Sequence, residues 1–85
     1  MTEFLKKHAE ITRTFQNKSS KDNSDMFYWM FKMNNKEYCV SYNSRSKKYL
    51  LSDYDSKDET AGIFYGIGDK SAIQHLILVF KKRYK

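Results

Sequence analysis

Proline is absent from this chain, and its only three glycines crowd between Gly62 and Gly68. Elsewhere the backbone must turn without either residue, which shifts that task to Asn, Asp and Ser. One cysteine allows no intramolecular disulfide, so a reducing, intracellular (cytoplasmic) setting is the expectation. Histidine occurs twice, with no C-x-x-C or H-x-x-x-H spacing, so the ligand set of a zinc site is missing. No apolar run is long enough to span a bilayer. The first residues, MTEFLKKHAEITR, place an acid at Glu3 and hold no apolar stretch, unlike a secretory signal peptide.

Aromatic residues, by contrast, are plentiful. They make up 16% of the 85 residues, beside 40% hydrophobic and 31% charged, a balance that excludes disorder. A chain of this size has room for one core, so residues 1–85 are read as one domain. The net charge of +6 and a pI near 9.4 favour an acidic partner. Lys, Asn, Ser, Asp and Tyr abound, which fits an AT-rich coding genome such as that of some bacteria and many of their phages and plasmids.

The densest apolar stretch, Met26 to Asn43, holds the single Trp and is split by Asn34-Asn35. Asn tolerates the left-handed backbone that a two-residue hairpin turn demands. With that turn, Met33 faces Lys36, Phe31 faces Tyr38, Trp29 faces Val40 and Phe27 faces Tyr42. The other face then pairs Lys32 with Glu37, Met30 with Cys39 and Tyr28 with Ser41. One face is a ladder of aromatic and β-branched pairs, and a slip of one residue would destroy it.

Around this hairpin the remaining elements follow in order. Phe4, His8, Ile11 and Phe15 form a helical stripe, so a helix is expected over 2–16 with Thr2 as its N-cap. Residues 17–25 read as a loop that carries the chain across the domain. Strands are expected over 26–33, 36–43, 47–52 and 61–67. The third should set Tyr49 opposite Val40 and Leu51 opposite Tyr38. The fourth should carry Ile63, Tyr65 and Ile67 on one face, with Gly66 marking a bulge or a close backbone approach. Asp69 caps a last helix over 70–84, on which Ile73, Ile77, Phe80 and Tyr84 align. The fold class is therefore α+β, in the order α-β-β-β-β-α, an antiparallel meander with both helices packed on one face. That order approaches the α-β-β-β-α of the double-stranded-RNA-binding fold. An extra strand and an acid at the cap of the last helix separate the two, and no family is assigned.

Chemistry is sparse. Cys39 falls mid-strand opposite Met30, where a structural thiol is expected, and His8 lies on an apolar stripe while His75 faces outward. No enzyme, cofactor or metal is therefore expected. Asp53, Asp55, Asp58 and Glu59 suggest a calcium loop, but Lys57 occupies a ligand position and no glycine makes the sharp turn. Gly66-x-Gly68 lacks the third glycine of a phosphate-binding turn.

The surfaces are more telling. Tyr28, Met30, Lys32 and Leu50 share the sheet face away from the helices, with Met26 beside them and Leu78 projecting from the last helix. Arg45, Lys47 and Lys48 form one basic group, and Lys81, Lys82, Arg83 and Lys85 another. These features point to a small non-catalytic regulator or inhibitor acting on a nucleic-acid-handling protein or its complex. The alternative is a direct nucleic-acid-binding module using the basic turns and the aromatic face. A homodimer through the sheet face is a further expectation, and no membrane contact is.

Overall fold

A computed structural model describes residues 1–55, 57, 58 and 60–83. Asn34 and Asn35 both adopt positive φ (54° and 64°), the turn geometry that the Asn pair favours. The two strands they join, β2 (Asp25–Met33) and β3 (Lys36–Asn43), pair in the register read from the sequence, from Met33 with Lys36 to Tyr28 with Ser41. Their aromatic face becomes core: Phe31, Tyr38 and Val40 are buried, and the Phe31 and Tyr38 rings stack at 5.5 Å.

Among the described residues the sheet has five antiparallel strands in sequential order, one more than expected. The helix expected over 2–16 ends early: α1 spans Thr2–His8, and β1 spans Glu10–Lys18. A spacing of four suits a helix and a strand alike, and Ile11-Thr12-Arg13-Thr14-Phe15 is rich in residues that favour strands. Ala9 is fully extended (φ −152°, ψ 176°), so the chain passes from helix to strand without a turn. A bulge at Thr12, whose hydroxyl donates to Met30 O (3.2 Å), reverses the alternation in β1. Ile11 consequently lies opposite Phe31 on the helix side, while Phe15 lies opposite Tyr28 on the other. Thr2 is not the cap either. It opens α1, and its hydroxyl accepts from Trp29 Nε1 (2.9 Å), fastening the helix to β2.

The expected loop over 17–25 shrinks to 19–24 and closes a hairpin rather than crossing the domain. Ser19 N donates to Ser24 O (2.8 Å), Asn23 takes φ 61°, and Lys18 pairs with Asp25 at 3.0 Å. The next turn is also longer than expected. Asn43 Oδ1 accepts from the amides of Arg45 (2.8 Å) and Ser46 (3.1 Å), and Lys47 absorbs a φ of 58°. Asn43 therefore pairs with Lys48, which moves β4 (Lys48–Asp55) two residues along β3. Leu51 lands opposite Val40 and Tyr49 opposite Tyr42, on the expected face but in another register.

In β5 (Thr60–Gly68) the register against β4 shifts twice. The first shift separates Tyr65 from Ile67, which had been expected on one face. Tyr65 turns to the helix side, where its ring meets Phe80 (4.8 Å) and its hydroxyl accepts from Lys36 Nζ (2.9 Å). Ile67 and Phe64 point away, opposite Leu50 and Ser52. Gly66 does permit a close approach: a Cβ there would sit 2.9 Å from Leu76 Cδ2.

That approach seats α2 (Lys70–Arg83), capped by Asp69 Oδ1, which accepts from Ala72 N at 2.8 Å. Ile73 and Ile77 of α2 complete the core with Leu5 of α1, Leu51 and the buried hairpin residues. Both helices thus cover one face of the sheet. Tyr84 and Lys85 of the expected helix end, and Glu59 of the acidic stretch, lie outside the described residues.

Candidate functional site

No element covers the second face of the sheet among the described residues. Following the strand pairings across it gives two rows, each five strands wide. One runs Phe15, Tyr28, Ser41, Leu50, Ile67; the other runs Arg13, Met30, Cys39, Ser52, Phe64. At about 4.8 Å per strand, each row crosses roughly 19 Å. Polar residues flank them: Glu10, Lys32 and Glu37 at one end, Asn17, Asn43 and Lys48 at the other.

The centre of this face is closed although no helix or strand of the described residues lies on it. Met30 and Cys39 are 6% exposed and Ser52 is 5% exposed. Burial pushes the Cys39 thiol up to about 11, so it stays protonated and is a poor nucleophile at neutral pH. The flanks are open. Phe64 and Ile67 are 56% and 61% exposed on β5. On β1 and β2, Phe15 stacks on Tyr28 (4.6 Å, 17°), and the Arg13 guanidinium lies 5.0 Å from the Phe15 ring centroid.

Of the residues expected on this surface, Tyr28, Lys32 and Leu50 do lie on it, the first and last half-buried. Met30 shares the face but forms its floor and presents almost no area. Arg13, Phe15, Phe64 and Ile67 were missed, because residues 10–15 read as helix and the alternation in β5 is broken by its bulge.

The two basic groups do not converge. Arg45, Lys47 and Lys48 sit at the β3–β4 turn, and Arg45 is engaged there by Asp22, its side chain 3.7 Å from the carboxylate. Lys81, Lys82 and Arg83 end α2 beside the opposite turn, where Asn34 Nδ2 donates to Lys81 O (2.9 Å). The length of a strand, roughly 25 Å, separates them. Lys81 Nζ also lies 3.2 Å from His8 Nδ1, and partial burial with the Lys81 and Lys7 charges holds the His8 imidazole below its usual pKa. His75 is exposed on α2. Among the described residues no three His, Cys, Asp or Glu side chains gather as a metal site, and no helix is long and apolar enough to cross a membrane. No protein-family model, curated protein or solved structure matches the chain.

Proposed function

We propose that this chain is a non-catalytic binding protein that engages a protein partner through the uncovered sheet face, as a regulator or inhibitor. One observation carries the reading: the exposed apolar side chains Phe64 and Ile67, with half-buried Leu50 beside them, adjoin a closed floor and are rimmed by polar residues. An apolar centre with a polar rim is the anatomy of a protein interface. The net charge of +6 suits an acidic partner surface, or the nucleic acid that a nucleic-acid-handling protein holds.

A second reading has its own support. Arg13, Phe15 and Tyr28 form a stacked aromatic platform under a cation, the kind of surface on which bases of a single strand stack. Fluorescence anisotropy with labelled single- and double-stranded DNA and RNA separates the two readings, at about 50 and about 200 mM salt. Weak binding to all four probes is the expected result. Tight binding that falls by about a thousandfold with salt, and that Phe15→Ala and Arg13→Ala weaken, overturns the protein-partner reading.

A further inference from the structure

β5 is an edge strand, paired among the described residues only with β4. Its sequence from Thr60 to Gly68 contains no charged residue, and Ile63, Phe64 and Ile67 on it are more than half exposed. An uncharged, apolar edge presents unpaired backbone donors and acceptors that another strand can satisfy. We infer that a second copy of this chain occupies this edge, β5 pairing antiparallel with its counterpart about a two-fold axis near Tyr65 and Gly66.

Charge selects that occupant and that direction. The start of β5 has acidic surroundings: Asp53 and Asp55 end β4, Asp55 pairing with Thr60, and Asp58 follows in the connection, against Lys57. The far end of β5 is basic: Tyr49 pairs with Gly68, which places Lys48 and Lys47 there, and Lys70 follows Asp69. Antiparallel pairing brings the acidic end of one copy against the basic end of the other, twice. Parallel pairing would set like charges together. β5 itself supplies no cation to a nucleic acid, since its residues from Thr60 to Gly68 carry no charge.

The helix layer fits the same arrangement. α2 rests on both β4 and β5, with Leu76 against Gly66 and Ile73 and Ile77 in one cluster with Leu51, so its axis lies between the two strands. Two strand spacings then separate α2 from its counterpart, about 10 Å, which is the distance at which helices pack. Val79 shares the flank of Ala72 and Leu76 on the β5 side and is exposed, ready to meet that second helix. On the other face, Phe64 of one copy falls beside Ile67 of the next, and the rows of the two sheets join. Phe64 and Ile67 serve both this contact and the partner-binding reading, whereas Tyr28 and Leu50 belong to the sheet face alone and Val79 to the edge contact alone.

Sedimentation velocity on the full chain, from about 1 to about 100 μM, tests this. The expected result is a concentration-dependent dimer that Ile67→Lys and Val79→Lys each convert to monomer, with far-UV circular dichroism unchanged. Mixing Phe64→Cys with Ile67→Cys under oxidising conditions should give a disulfide-linked pair, whereas Phe64→Cys alone should not. A monomer throughout the range overturns the inference. So does a dimer that survives Ile67→Lys and dissociates with Tyr28→Lys, which would assign association to the sheet face.

Discussion

β1 and β5 both lie at the rim of the sheet, each paired on one side only among the described residues. β1 reads EITRTFQNK and carries Glu10, Arg13 and Lys18 along its length; β5 reads TAGIFYGIG and carries no charge. Both are irregular, with a bulge at Thr12 in one and two register shifts in the other. Charges placed on an edge strand raise the cost of adding another strand, because pairing would strip them of water. The chain has applied that protection to one edge and withheld it from the other. The helices follow the same division. α2 packs tightly over β5 through glycine, whereas the shorter α1 is held to the β1–β2 side by Leu5 and by the Trp29–Thr2 hydrogen bond.

The contrast between the two sides can be broken at several levels. Leu51→Ala should have the largest effect. Leu51 is fully buried on β4 beneath α2, so its truncation should cost about 3 kcal/mol in urea unfolding. Ile11→Ala, half-buried at the other corner, should cost roughly half as much or less. Equal losses would show that both corners hold the fold together alike.

A smaller effect is expected at the ends of one cross-strand row, Thr14, Trp29, Val40, Leu51, Gly66. Gly66→Val puts atoms where Leu76 lies and should lower stability by roughly 1–3 kcal/mol, read as a drop in melting temperature. Thr14→Val at the exposed end should stay within about 0.5 kcal/mol of the parent. A harmless Gly66→Val would mean that α2 does not depend on the close approach.

The smallest expected effect is a pH dependence on the α1 side. His8 has a folded-state pKa below its unfolded value, so the neutral imidazole is the form that the fold favours. Its contribution is complete above the unfolded value near 6.5 and is lost as pH falls through the lower folded value. Melting temperatures taken between pH 7.5 and 5 should therefore fall less for His8→Asn than for the parent. Identical profiles would remove His8 and its Lys81 contact as the cause.

The class, the antiparallel meander and the placement of both helices on one face were legible in the sequence, and so was every pair of the central hairpin. That hairpin combines an Asn-Asn turn with unbroken alternation, two signals that specify one register. Legibility failed where a period was interrupted or shared. Ile11 and Phe15 stand four apart, which suits either element, and the bulge at Thr12 hid the alternation that would have marked a strand. In β5 the same kind of irregularity placed Tyr65 and Ile67 on opposite faces. The β3–β4 register moved by two because Asn43 organises a longer turn through its own side chain, a local bond that periodicity does not report. Tyr28, Lys32 and Leu50 were found because they belong to regular strands. Phe15 was missed because residues 10–15 read as helix, and Phe64 because it lies beside a bulge.

Each strand of this sheet lies next to its neighbour in sequence, and that adjacency sets the order of assembly. Every hairpin closes over a short loop, so little chain entropy is lost before contacts form, and folding within about milliseconds is the natural expectation. The β2–β3 hairpin, with its left-handed Asn pair and its aromatic ladder, is suited to nucleate. Strands would then add outward on both sides, and the two helices would dock last. During that interval β5 would already be exposed while α2 was still unseated. Pairing with another chain could therefore begin before the monomer had finished folding.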